Sequence, residues 1–188
     1  MLGSVIGKVV ERVLARRGMG TRAPQAGWRE GMALEEMEGR RMLAGDGLTG
    51  TYFDNDNFTG ATKSRIDATV NFGWGNSAPV SGIAGDTFTA RWTGQVEAPA
   101  SGAYTFYTQS DDGVRLRVNG QTLIDRLVPQ SMTEHSGVIE LEAGQEYEIG
   151  LDYFERYGSA TVKLLWSSAS TPKQVIPSEN LVSGGILM

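Results

Sequence analysis

Two adjacent carboxylates, Asp111 and Asp112, precede Gly113 and could do chemistry together. Carboxylate oxygens are ligands that Ca²⁺ prefers, and Ca²⁺ accepts about six to eight hard oxygens, so that some positions stay open for a second molecule. The same residues also fit a tight turn, in which Asp accepts backbone N–H bonds and Gly takes a positive φ. The run is therefore open to two interpretations, a calcium site and a structural turn.

Side chains for catalysis are few. His135 is the only histidine, so a Ser-His-Asp triad depends on one residue in the polar segment 131–136, which we expect to be an exposed loop. The chain has no Cys, which excludes a thiolate nucleophile, a thiolate metal site and any disulfide. Carboxylates are numerous, so composition alone does not exclude a glycosidase, which needs two carboxyl groups about 5 to 9 Å apart.

A second acidic segment, residues 54–57, has the sequence Asp-Asn-Asp-Asn. Its oxygens alternate as they do in a calcium loop. It lacks the glycine and the distal glutamate of an EF-hand, so we predict a polar loop there.

The elements that position these residues are short segments with a period of two. Phe88, Ala90 and Trp92 alternate with polar residues, and residues 114–118 alternate before the turn dipeptide Asn119-Gly120. The same alternation recurs in residues 146–153 and 162–166. This pattern predicts an all-β sandwich or barrel. We interpret Trp92 and Trp166 as core residues rather than ligand contacts.

The chain of 188 residues divides into parts of different charge. Residues 1–46 carry eight basic and six acidic side chains (net +2), and residues 47–188 carry nine and sixteen (net −7). We predict a leader at 1–46, one folded domain at 47–182 and a tail at 183–188. The acidic domain excludes nucleic acid as an expected partner, and no apolar stretch approaches the roughly 18 residues of a membrane span.

The leader contains one amphipathic pattern, from Val5 to Leu14, which predicts a short helix. A standard signal peptide needs a continuous apolar run of about 7 to 15 residues, and Lys8, Glu11 and Arg12 interrupt that run, so we do not predict a standard signal peptide. Residues 34–44 resemble the segments found ahead of the first module in large bacterial surface and secreted proteins. The leader is interpreted either as a sorting segment of that kind or as a mostly disordered tail without function.

An ordered set of landmarks extends over residues 47–181. It comprises Gly-Leu-Thr-Gly-Thr-Tyr-Phe at 47–53, Phe-Thr-Ala-Arg-Trp-Thr-Gly at 88–94, Ser-Asp-Asp-Gly-Val-Arg-Leu at 110–116, Val-Asn-Gly at 118–120 and Leu-Asp-Tyr-Phe-Glu at 151–155. This set resembles the PA14 module named after protective antigen. The resemblance implies an all-β fold, an antiparallel, jelly-roll-type β-sandwich of the kind common in adhesins, in toxins and beside glycosidase catalytic domains.

The resemblance also implies a site. The calcium-dependent sugar binders of that family share adjacent aspartates joined by a cis peptide, at the position of Asp111 and Asp112. A second loop of the family contributes oxygens, which adds Glu155, Arg156 and Gly158 as predicted metal ligands. Arg156 and Tyr157 depart from the Gly- or Asn-rich loop of many calcium-binding members. Arg156 is interpreted either as repelling the ion or as binding a sugar hydroxyl or an acidic sugar, and Tyr157 either as a stacking platform for a sugar or as a cover of the sandwich edge. The predicted ligand-binding residues are Asp111, Asp112, Arg156 and Tyr157.

We therefore predict a calcium-dependent, lectin-like module that binds glycans or polysaccharide, belongs to a secreted or cell-surface protein involved in adhesion, and is not an enzyme. It is expected to be a monomer, extracellular or at the cell surface. The alternatives are a structural or protein-interaction β-sandwich without calcium, and an accessory domain of a glycosidase-type protein.

Overall fold

The structure is a computed structural model that describes residues 45–184. The predicted helix at residues 5–14 and the segment 34–44 lie outside the described residues, as does most of the predicted tail. The domain boundaries at residues 46 and 182 stay predictions. No helix in the described part of the chain has the length and apolar character that a membrane span needs.

Alternating apolar and polar residues, separated by turn residues, form twelve β-strands and one short 3₁₀ helix within residues 45–184. The strands are β1 Leu48–Phe53, β2 Thr62–Asp67, β3 Asn71–Gly75, β4 Phe88–Glu97, β5 Gly102–Asp111, β6 Gly113–Val118, β7 Gln121–Arg126, β8 Thr133–Leu141, β9 Glu146–Glu155, β10 Ala160–Ser167, β11 Gln174–Val175 and β12 Leu181–Ser183, and the 3₁₀ helix is Ser178–Asn180. The pairings between these strands are antiparallel.

The strands lie in two sheets that form a sandwich, as predicted. The larger sheet has the order β2-β1-β4-β9-β6-β7, and β12 also pairs with β4. The smaller sheet has the order β11-β10-β5-β8, and β3 also pairs with β10. Consecutive strands β5 and β6 therefore belong to different sheets, so the chain crosses between the sheets at Asp112.

The core lies between the two sheets, and aromatic side chains make up much of it. Trp92 of the larger sheet and Trp166 of the smaller sheet are buried, which confirms their interpretation as core residues. Trp92 packs edge-on against Tyr52, and Trp166 contacts Tyr104 and Phe106. Burial of one such side chain contributes roughly 1.5–3 kcal/mol to stability. The core thus makes a rigid base for the loops at its ends.

The predicted turn at Asn119-Gly120 is confirmed. It joins β6 to β7, and the two residues have φ values of 50° and 71°. Two consecutive positive φ angles match the right-handed twist of the flanking strands, and asparagine and glycine tolerate them best.

The prediction of an exposed loop at 131–136 is wrong for most of that segment. Strand β8 begins at Thr133, and His135 is half-buried and pairs with Thr108 of β5. The segment is polar because β8 is the last strand of the smaller sheet, and edge strands carry polar residues on their exposed positions. Polarity alone did not distinguish an edge strand from a loop.

Candidate functional site

Three strand ends meet at the Asp111–Asp112 pair. Strand β5 ends at Asp111, β6 begins at Gly113, and β9 ends at Glu155. Asp111 pairs with Thr161 in the smaller sheet, whereas Gly113 pairs with Phe154 in the larger one. The peptide bond between Asp111 and Asp112 is cis, as the resemblance implied. The crossing between the sheets therefore places Asp111 and Asp112 beside Glu155.

The carboxylate of Asp112 is buried and held on both oxygens by backbone groups. Its Oδ1 accepts the N–H of Gln130 at 2.9 Å, and its Oδ2 accepts the N–H of Arg156 at 3.0 Å. The first donor lies in the β7–β8 loop, residues 127–132, and the second in the β9–β10 loop, residues 156–159. Asp112 therefore fixes the position of both loops.

The β7–β8 loop was not predicted as part of the site. The Gln130 side chain donates from Nε2 to Ser110 Oγ and to the Asp112 carbonyl oxygen, both at 3.2 Å, and its Oε1 lies 3.1 Å from His135 Nε2. A Cβ at Gly113 would lie 2.6 Å from the Val128 backbone nitrogen, so only glycine allows this approach. The sequence indicated Gly113 as a turn residue, but it did not indicate that Gly113 packs against Val128.

Glu155 is a buried carboxyl group with an unsatisfied oxygen. The Tyr153 hydroxyl donates to Glu155 Oε2 at 2.8 Å and also contacts the Asp111 carbonyl oxygen, whereas Glu155 Oε1 has no hydrogen-bond partner. Burial, and then the negative charges of Asp112 and Asp111, raise the pKa of Glu155 to about 7. Burial and Asp112 likewise raise the pKa of Asp111. The ionised cluster therefore lacks compensating positive charge.

Other buried carboxylates of this protein do have basic partners. Asp152 accepts hydrogen bonds from Arg91 at 2.6 Å and Arg115 at 2.7 Å, and Asp67 pairs with Arg65 at 2.6 Å. In the described part of the chain, no ion pair includes Asp111, Asp112 or Glu155. A buried carboxylate is stabilised by a cation, by a proton or by N–H donors. Asp112 has two backbone N–H donors, and the raised pKa of Glu155 favours its protonated form.

A hard cation such as Ca²⁺ fits the donor type of this cluster, since all three side chains supply oxygen. Within residues 45–184, however, no group of three acidic, histidine or cysteine side chains is placed to hold a metal ion. Neutral oxygens would have to complete the coordination of an ion held by Asp111 and Asp112.

The three residues of the β9–β10 loop that were predicted for the site have different contacts. The Arg156 guanidinium lies 4.0 Å from Asp56, and the Arg156 carbonyl oxygen accepts two hydrogen bonds from Thr87. Tyr157 is 74% exposed. Gly158 has a φ of 108°, and its N–H donates to Asp86 Oδ1 at 3.2 Å. Arg156 thus contacts the acidic pair through its backbone N–H.

The segment 54–57 is a polar loop between β1 and β2, as predicted. Asn55 Oδ1 accepts the N–H groups of Asn57 and Thr59, and Asp54 Oδ1 accepts the N–H of Ala84. These oxygens already accept hydrogen bonds from backbone N–H groups of the protein. Asp56 of the same loop forms the ion pair with Arg156.

A separate groove of about 480 Å³ crosses the larger sheet and includes Arg117, Glu148 and Gly150 among its lining residues. None of the residues predicted for the site lines it.

The family model that matches this chain is described as the PA14 domain, and it covers residues 45–180. The chain belongs to the PA14 domain family. This PA14 domain is 48% identical over 137 residues to the anti-sigma-I factor RsgI3 of Acetivibrio thermocellus, which covers 73% of this chain and 21% of that protein. The chain thus spans about a fifth of the length of that curated relative.

Solved structures agree with this assignment. An anti-sigma factor domain-containing protein is 45% identical with a TM-score of 0.74, covering 77% of this chain and 50% of that one. A PA14 sugar-binding domain from an RTX adhesin has a TM-score of 0.64 at 18% identity, covering 75% of this chain and 100% of that one. The similarity to the RTX adhesin domain shows that the two proteins share a fold.

Proposed function

We propose that this PA14 domain is a carbohydrate-binding module whose sugar site includes a Ca²⁺ ion held by Asp111 and Asp112. The observation that carries the proposal is the cluster of Asp111, Asp112 and Glu155, which meets at the ends of three strands without a basic partner and contains one buried oxygen without a hydrogen bond. Bound Ca²⁺ supplies open coordination positions that suit vicinal sugar hydroxyls.

The residues take different roles in this proposal. Asp111 and Asp112 provide the carboxylate ligands. Glu155, also predicted as a metal ligand, lies beside them, but the three carboxyl groups do not converge on one metal position. Gly158 provides a backbone carbonyl. Arg156, also predicted as a metal ligand, has a carbonyl oxygen that already accepts two hydrogen bonds, so its proposed role is to hold Asp112 through its N–H.

Sugar contacts come from the exposed side of the same loops. Tyr157 offers an exposed ring, and the C–H face of a sugar packs on aromatic rings. The Arg156 guanidinium lies 4.0 Å from Asp56. Its remaining N–H groups can donate a hydrogen bond to a sugar hydroxyl. The sugar-binding PA14 domain of the RTX adhesin supports this assignment as a protein of the same fold.

The wider context is proposed from the relatives. We propose that the domain is the extracellular or cell-surface binding part of a longer protein, and that it binds without catalysis. The identity of 48% to a part of an anti-sigma-I factor favours a regulatory protein of that kind over an adhesin. We propose that the domain binds polysaccharide as a monomer.

The test is a thermal melt in millimolar calcium and in chelator, followed by calorimetry and a glycan array in calcium. An ion that binds only the folded state stabilises it by about 2.7 kcal/mol at a hundredfold excess over Kd. We expect a higher Tm in calcium and glycan binding that chelator removes. Equal Tm values under both conditions would contradict the calcium site, and the absence of any glycan ligand would contradict the sugar-binding role.

A further inference from the structure

Three of the large hydrophobic side chains that are exposed within residues 45–184 belong to the two loops that hold Asp112. Among residues 45–184, five large hydrophobic side chains are exposed: Ile66, Val128, Met132, Val138 and Tyr157. Val128 is 52% exposed, Met132 51% and Tyr157 74%, and all three lie in or at the end of the two loops that hold Asp112. We call these three side chains the apolar rim.

The loops that carry the apolar rim are fixed to the acidic pair by their backbones. Gln130, between Val128 and Met132, donates its N–H to one oxygen of Asp112, and the residue before Tyr157 donates to the other oxygen. A hydrogen bond from the Met132 N–H also stabilises the ionised Asp111 carboxylate. Backbone hydrogen bonds from Gln130 and Arg156 therefore hold both segments that carry the apolar rim against Asp112.

Single exposed apolar residues are common on protein surfaces, but a group of them beside polar ligands marks a binding surface. These three side chains are not needed by the core, since each is at least half exposed. A ligand that offers both apolar surface and hydroxyl groups matches the combination of rim and carboxylates. A sugar ring has this character, because one face presents C–H groups and its edge presents hydroxyls.

The charge of the site selects among sugars. Asp111, Asp112 and Glu155 carry up to three negative charges, and one divalent cation neutralises two of them. The Arg156 guanidinium lies near Asp56, so the loop has little positive charge left for an anionic ligand. The site therefore does not attract an acidic sugar electrostatically.

We propose that Val128, Met132 and Tyr157 form the specificity-determining rim of the sugar site and select a neutral sugar unit with an open C–H face. This inference rests on the proposed function, because the same site binds the sugar hydroxyls. It adds the β7–β8 loop as a second wall of the site and names the class of ligand.

The experiment uses isosteric or truncating substitutions in the full chain: Val128→Thr, Met132→Gln and Tyr157→Ser. Val138→Thr is the matched control, since Val138 is 61% exposed but lies within β8, away from both loops. A glycan array compares neutral oligosaccharides with uronic-acid and sulfated ones. The affinity of each variant for the strongest neutral ligand and, separately, for calcium is then measured by calorimetry.

We expect each rim variant to bind the neutral ligand about threefold to tenfold more weakly, as the loss of one apolar stacking contact does, with wild-type calcium affinity and Tm. The control variant should bind as the wild type does. Rim variants with unchanged glycan affinity, or an array that selects only acidic or sulfated ligands, would overturn the inference.

The inference and the proposed function can fail separately. A wild-type protein that binds neutral glycans equally with and without chelator contradicts the calcium site, and weaker binding by the rim variants still supports the inference. A wild-type protein that binds calcium and only acidic or sulfated glycans overturns the inference alone. A wild-type protein that binds neither calcium nor any glycan overturns both.

Discussion

Asp111 and Asp112 differ more than their adjacent positions suggest. Asp112 accepts a backbone N–H on each carboxylate oxygen, so an asparagine there would lose one of the two hydrogen bonds. A loss of function in Asp112→Asn would then have a structural cause as well as an electrostatic one. Asp111 is half-buried and its pKa is raised by burial and by Asp112, so its charge is unfavourable in the metal-free protein. Asp111 is the better residue to test.

Asp111→Asn is expected to weaken calcium affinity at least about tenfold, because the ligand loses its negative charge. The Tm of the variant in chelator should equal or exceed that of the wild type, because repulsion with Asp112 is relieved. Calorimetry and thermal melts measure the two effects. Asp125→Asn, at an exposed position of β7, is the control and should change neither value. A variant with lower Tm in chelator and unchanged calcium affinity would favour a structural turn.

Glu155 is expected to make the stability of the metal-free protein depend on pH. Its pKa is about 7 in the folded protein and 4.5 ordinarily. Below the lower value both states hold the proton. As pH rises between the two values the unfolded state loses it first, so the free energy of unfolding falls, by on the order of 3 kcal/mol. Above about pH 7 the loss is complete.

Glu155→Gln should remove this fall, because glutamine stays neutral at every pH. Chemical denaturation in chelator at about pH 5 and pH 8 should show a larger loss of stability for the wild type than for the variant. The same substitution should weaken calcium affinity. Wild type and variant with parallel stability curves would show that Glu155 is ionised in the metal-free protein throughout this range.

At the scale of the elements, the site depends on the close contact between the start of β6 and the β7–β8 loop. Gly113 allows this contact, since a Cβ there would lie 2.6 Å from the Val128 nitrogen and 2.8 Å from the Arg126 oxygen. The contacting atoms are backbone, which cannot rotate away. The loop therefore has to move if Gly113 gains a side chain.

Gly113→Ala is expected to destabilise the protein by about 1–3 kcal/mol, as overpacking does, and to weaken calcium affinity because Gln130 is displaced from Asp112. Gly150→Ala in β9 is the control: no heavy atom lies within 4 Å of its Cβ position, so it should be neutral or slightly stabilising. Thermal melts and calorimetry measure both effects. A Gly113→Ala protein with wild-type values would show that the loop is not packed against β6.

At the scale of the whole molecule, the ends of the described chain are joined. The Asp46 carboxylate accepts the N–H and the hydroxyl of Ser183, each at 2.8 Å, and the Gly47 N–H donates to the Leu181 carbonyl oxygen at 3.1 Å. Strand β12 lies beside β1 along β4, so both ends belong to the larger sheet. Asp46 therefore joins the two ends of the described chain.

A protein of residues 45–184 is expected to have the Tm of the full chain and the same calcium affinity. A protein that begins at Gly47 should melt about 1 to 4 °C lower, because the two hydrogen bonds of Asp46 are lost. Asp46→Ala in the full chain is the matched control and should reproduce the lower Tm. A full chain that melts many degrees above residues 45–184 would show that the leader contributes to the fold.

The sequence by itself determined the all-β fold, the turn at Asn119-Gly120 and the burial of Trp92 and Trp166, because period-two alternation and turn propensity are local properties of the chain. It also singled out Asp111 and Asp112. It did not reveal Gln130, whose contacts join residues 18 positions apart, nor that His135 lies in an edge strand. Only the tertiary structure decided which carboxylates have basic partners, as Asp152 does and Glu155 does not, because ion pairs and desolvation depend on which strand ends the two sheets bring together.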